Sequence, residues 1–168
     1  MRLHRFAAAT NARGMDVPSD TPRIPSNAVE DPDNPGWYYW TDAADDTFAS
    51  QTGRLLFRAD GPGRGVVRMD VTEKHLNLGG SIHGGAVMSF IDMALFAGGR
   101  CAGMERAHYV TLDLTTHFMG RGVAGKPLDA HVELLRQTRS LVFMQGVAKQ
   151  DGESCYSFSG TLKRLRNT

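Results

Sequence analysis

One carboxylate stands inside a long apolar run. From Gly84 to Ala97 the chain is almost wholly Gly, Ala, Val, Met, Phe, Ile and Leu, and Asp92 is its one charged residue. A carboxylate removed from water is costly unless it is paired. Two readings follow. Asp92 either satisfies a neighbouring polar group, or it acts as general base or nucleophile in a partly desolvated site. The Gly84-Gly85 pair at the head of the run is the second feature. A helix N-terminus presents free N–H groups and partial positive charge, and glycine lets a ligand approach the backbone. That combination suits the oxyanion of an acyl transfer, while tight packing is the plainer explanation. His83 precedes the pair as a cap or loop support, and no second histidine or carboxylate stands at metal-ligand spacing around it, so no metal is expected.

These residues need a helix to position them. The run from His83 to Ala97 has helical length, few β-branched residues and apolar character nearly all round, so it reads as a buried helix, ended by Gly98, Gly99 and Gly103. Gly84 and Asp92 are then eight residues apart, about 12 Å along one axis. One chain cannot bring both to a single carbonyl. Two antiparallel copies of the helix about a two-fold axis can, which predicts a dimer with two shared sites. Around the helix the pattern is of strands. Arg54–Ala59 and Gly65–Thr72 form a hairpin across Gly61-Pro62-Gly63, after a short helix at Thr47–Gln51 closed by Gly53. Tyr109–Phe118 alternates Val110, Leu112 and Leu114 against Thr111, Asp113 and Thr115. Leu128–Arg136, Leu141–Lys149 and Cys155–Leu165 follow, with Asp151-Gly152 as a hairpin signal. Six antiparallel strands cannot enclose a helix that is apolar all round, so a second copy is expected as its other cover.

Bulk properties bound the function. The chain has 168 residues, Lys+Arg 19 against Asp+Glu 18, and two cysteines. The near-neutral balance argues against nucleic acid as partner. Cys101 and Cys155 fit no metal spacing and read as free thiols of a reducing, cytoplasmic setting. The apolar run is too short to span a membrane. Residues 1–36, rich in Pro, Asp, Asn and Ser, read as an extended or disordered arm, with Met15 as an alternative start. Trp37, Tyr38, Tyr39 and Trp40 would anchor it to a single domain over 37–168.

Asn77-Leu78-Gly79-Gly80-Ser81-Ile82-His83-Gly84-Gly85, then Asp92, then Val110–Leu114, resembles the hotdog-fold thioesterases of the phenylacetate-degradation type. The resemblance covers roughly Gly53 to Leu165. It implies an α+β hotdog fold, a curved antiparallel sheet wrapped around one long helix, assembled as a homodimer or a dimer of dimers. It implies hydrolysis of an acyl-CoA thioester without a cofactor. Asp92 takes the place of the catalytic carboxylate and the Gly84 N–H polarises the carbonyl. Asn77 positions the thioester or water, His83 supports that loop, and Thr111 holds the water or orients Asp92. Asn77, His83 and Gly84 would come from one subunit, Asp92 and Thr111 from the other. Gly85 would lie against substrate. For the phosphates of coenzyme A a basic rim is expected, with Arg139 in the hairpin turn as first candidate beside Arg136 and Lys163. Two alternatives stand beside this reading: a non-catalytic acyl-CoA-binding protein, and an acyl-thioester hydratase on the same fold.

Overall fold

The computed structural model describes residues 24–41 and 47–165. Most of the expected arm, with Met15, lies outside them. Among the described residues, one sheet of eight antiparallel strands carries a single α-helix. The strands are β1 (Ala28–Glu30), β2 (Tyr38–Trp40), β3 (Leu55–Ala59), β4 (Arg64–Asp70), β5 (Tyr109–Phe118), β6 (Pro127–Gln137), β7 (Leu141–Gln150) and β8 (Glu153–Arg164), and α1 spans Gly84–Cys101. Their order across the sheet is β1-β2-β3-β4-β6-β7-β8-β5. β5, the first strand after the helix, thus pairs with the last one and forms an edge.

The sheet has two strands more than the sequence pattern indicates. β1 and β2 are three residues each and too short to show a period. β1 falls within the stretch 1–36, so the described part of that stretch carries a strand of the sheet. The aromatic cluster fixes it in place. Trp40 packs on Phe57 at 4.7 Å between ring centroids, and Trp37 lies against two guanidiniums, Arg68 at 4.4 Å and Arg58 at 5.0 Å. Arg68 in turn makes two 2.7 Å bonds to Asp129. Local turns follow backbone chemistry. Asp151 and Gly152 both have positive φ, 50° and 84°, the mirror-type turn that matches strand twist and closes the β7–β8 hairpin.

The helix departs from expectation at its end. Gly98 and Gly99 do not stop it; α1 runs through them to Cys101, and Gly103, at φ 102°, closes it. The two glycines serve packing instead. A Cβ on Gly98 would stand 2.6 Å from Val132 Cγ2, and one on Gly99 2.9 Å from the Met144 sulfur. Phe90, Ile91, Ala94 and Leu95 are fully buried against the sheet, each larger side chain contributing about 1.5–3 kcal/mol. Nor is the helix enclosed all round within one chain. Ser89, Asp92, Phe96 and Arg100, successive turns of one stripe, are only half-buried and Gly85 is exposed. Among the described residues, no helix is long and apolar enough to cross a membrane.

β5 corrects a second expectation. A β-bulge between Thr111 and Asp113 inserts Leu112 into the strand opposite β8. The alternation changes phase there. Thr111 faces the helix on one side of the bulge, and Leu114 packs against the core on the other. Val110 and Leu112 are left on the outside, 40% and 54% exposed.

Candidate active site

The loop before α1 is built by its own polar groups. Asn77 Oδ1 accepts from the N–H of Gly79 at 2.9 Å and of Ser81 at 3.2 Å, and the Asn77 N–H donates to Ser81 O at 2.8 Å. This Asx arrangement turns the chain tightly enough for Gly80, at φ 69°, to lead back toward the helix. Arg121 clamps the turn from outside by donating to Gly79 O at 2.7 Å. The asparagine oxygen is consumed in shaping the turn, and its amide nitrogen is the part the turn does not use.

His83 is the N-cap. Its Nδ1 accepts from the Gly85 N–H at 3.0 Å, so the ring carries its proton on Nε2. The cap occupies Gly85, whereas the Gly84 N–H meets no acceptor among the described residues. Gly84 therefore offers a free donor at the positive end of an 18-residue helix. Around it lies a depression of about 520 Å³ whose lining includes Asn77, Gly84, Phe118, Met119 and Tyr156. Phe118 and Tyr156 meet edge to face at 5.4 Å.

His75 supports this loop from beneath, and nothing in the sequence pattern marks it. It is buried, at 4% exposure; its Nδ1 accepts from the Thr72 N–H at 3.0 Å, its Nε2 lies 3.1 Å from Gln51 O, and its carbonyl accepts from the His83 N–H at 2.8 Å. Burial pulls its ring below the ordinary histidine value, the positive charge of Lys74 acts the same way, and the Gln51 carbonyl opposes them. The sequence shows one histidine beside the glycines; the fold shows a second holding the first.

Further along α1, Thr111 Oγ1 donates to Asp92 Oδ1 at 2.6 Å. The half-buried carboxylate thus has one oxygen held by a charge-assisted bond. Asn77, His83, Gly84 and Gly85 form one group and Asp92 with Thr111 another, eight residues away on an unbroken helix, which is about 12 Å. Arg139 joins neither. It lies in the β6–β7 turn, next to the β8 end at Arg164, while the Gly84 depression meets the opposite end of β8 at Tyr156. Among the described residues, no three His, Cys, Asp or Glu gather as a metal site.

The sequence model of the thioesterase superfamily matches residues 79–156, from the glycines before α1 to the start of β8. A single-residue variant of the phenylacetic acid degradation protein PaaI from Thermus thermophilus shares 27% identity at a TM-score of 0.60, over 71% of this chain and 100% of that one. The PaaI protein of E. coli shares 25% at 0.62, over 74% and 88%. This chain has the hotdog fold, and its residues 79–156 match the thioesterase superfamily. A hypothetical thioesterase protein with coenzyme A from Streptococcus pneumoniae has the same fold at 22% identity and a TM-score of 0.55, over 64% of this chain and 83% of that one. No curated protein matches. In hotdog terms, α1 is the central helix, the sheet is its wrap, and the Asp92–Thr111 contact bridges the two.

Proposed function

We propose that this chain hydrolyses an acyl-CoA thioester to the free acid and coenzyme A, in sites shared between two copies. The observation that carries the reading is the Thr111–Asp92 hydrogen bond. It fixes one carboxylate oxygen and leaves the other to act on the open stripe of α1. Asp92 takes a proton from water as the water oxygen bonds to the thioester carbon, or attacks that carbon itself to give, once the C–S bond breaks, a mixed anhydride that a water then cleaves, releasing the acid and supplying the thiol proton. The carbonyl oxygen becomes an oxyanion against the Gly84 N–H. The C–S bond then breaks, and the coenzyme A sulfur takes up the proton. His83 keeps the Gly84 donor available by occupying Gly85.

A second copy is what joins the halves. The open stripe of α1 and the unpaired edge of β5, with exposed Val110, Leu112 and Phe118, support this reading as surfaces for a two-fold partner to cover. Asp92→Asn should fold normally and lose a hundredfold or more in turnover, on the order expected for a lost general base. Near-wild-type turnover would reject the assignment. Sharing is tested by mixing inactive Asp92→Asn with an inactive Asn77→Ala chain. With free subunit exchange, half the dimers are mixed and each has one intact site, so activity should recover to about a quarter of wild type. Exchange without recovery would place the site within one chain.

A further inference from the structure

A cavity of about 740 Å³ opens at the other end of α1, with Ser26, Trp40, Arg100, Arg106, His108 and Arg164 in its walls. Ser26 and Trp40 lie outside residues 79–156, the segment shared with the thioesterase superfamily. The charge in this cavity is unbalanced. Arg164 meets Glu105 at 2.9 Å. Arg100 donates only to the backbone carbonyls of Glu105 and Ala107, and Arg106 to the Ser26 hydroxyl at 2.6 Å. Two of the three guanidiniums therefore have neutral partners. Burial pulls Arg100 below its ordinary value, Tyr109 opposes it, and the positive charge of Arg106 pulls the same way as burial. A concave site that gathers like charge at such a cost is poised for an anion.

Its position relative to Asp92 suggests which anion. Asp92, Phe96 and Arg100 share the half-buried stripe of α1, and Arg100 lies two turns, about 12 Å, beyond Asp92. β5 runs alongside: Thr111 is bonded to Asp92, and the ring of Tyr109, two residues away, lies 5.6 Å from the Arg100 guanidinium. The seam between α1 and β5 thus leads from the carboxylate to the basic cavity, over a distance that an extended pantetheine arm exceeds.

We propose that this cavity binds the clustered phosphates of an adenine nucleotide, supplied by the coenzyme A end of the substrate. The source rests on the thioesterase reading; the anion site does not. The probe is adenosine 3′,5′-bisphosphate, titrated calorimetrically into the full chain and into Arg106→Gln, which loses the hydrogen bond to Ser26. Binding should weaken about tenfold or more in the variant, the value of one hydrogen bond to a charged group. Arg106→Lys, which keeps the charge, should restore part of it and guards against misfolding. KM for acyl-CoA should rise about tenfold in Arg106→Gln with kcat unchanged, while an N-acetylcysteamine thioester, which carries no phosphate, should be cleaved equally by both proteins. Arg106-dependent binding with unchanged KM would overturn coenzyme A as the source and leave a free nucleotide. No binding, or equal binding to wild type and Arg106→Gln, would overturn the site. A chain that binds the bisphosphate but cleaves no thioester would sink the hydrolase reading alone.

Discussion

Two Gly-Gly pairs sit on the same helix and do opposite things. At Gly84-Gly85 the backbone is open at Gly84, where a Cβ would meet nothing nearer than Phe118 at 3.7 Å, an ordinary contact, while one on Gly85 would stand 3.0 Å from the capping His83 ring. At Gly98-Gly99 the backbone is pressed against the sheet. Gly98 would collide with Val132, and a Cβ on Gly65, opposite it in β4, would stand 2.4 Å from Gly98 O. The first pair leaves room for a ligand. The second removes room so that α1 and β4 can touch. The dipeptide is the same, and only the neighbours decide which purpose it serves.

The contrast can be broken at either end, and the larger effect belongs to the packed pair. Gly98→Val would force two branched side chains into one volume, at a cost of about 3 kcal/mol. The melting temperature should fall by roughly 6–12 °C for a chain of this size, read by thermal circular dichroism, with activity per folded molecule retained. An unchanged melting temperature would mean the contact is looser than its geometry. Gly84→Ala should do the reverse. The helix gains up to about 1 kcal/mol of propensity, while the methyl group crowds the approach to the free N–H, so kcat/KM should drop about tenfold with stability unchanged or higher. Equal activity would return Gly84 to the structural class of Gly98. Thr111→Val removes the hydroxyl that holds Asp92 and keeps its shape. We expect a several-fold loss of kcat, of the order of one hydrogen bond, with little change in melting temperature.

The smallest effect is one of acidity, at the loop that presents the open pair. His75 is held below the ordinary histidine value, chiefly by burial. As acid is added the unfolded chain takes up a proton first. The stabilisation from His75 is therefore complete above about pH 6.5, the ordinary value, and is lost as pH falls from there toward the folded value. Melting temperature measured between about pH 7.5 and pH 5 should decline, and His75→Gln should flatten the decline. An equal slope in both proteins would assign the acid sensitivity elsewhere.

Periodicity explains what was legible in the sequence. The strands from β3 to β8, together with the start of α1, announce themselves through alternation, turn residues and an apolar run, and β5 spans the expected residues Tyr109–Phe118. The spacing of Gly84 and Asp92 on one helix was equally readable, because rise per residue is fixed. What stayed hidden depends on partners distant in sequence. The bulge at Leu112 exists only against β8. The passage of α1 through Gly98 depends on Val132. His75 and the Arg100 cavity become visible only in the folded chain, since 24 residues separate the His75 ring from its acceptor Gln51, and 80 separate Arg106 from Ser26.

The strand order has a consequence for synthesis. β5 carries Thr111, but among the described residues its one strand partner is β8, with Tyr109 opposite Arg164 and Phe118 opposite Tyr156. A nascent chain emerging from a ribosome will have made the helix and its carboxylate long before anything can hold β5 in register. Until β8 has left the exit tunnel, Val110 and Leu112 lie on a strand with no neighbour, a template for unwanted pairing. A chain stopped at Gly152 should therefore be both inert and prone to aggregate, and adding the missing β8 as a separate peptide is the rescue to attempt. Maturation of the carboxylate site is timed by the final strand of the sheet, which itself contributes none of the proposed reacting groups.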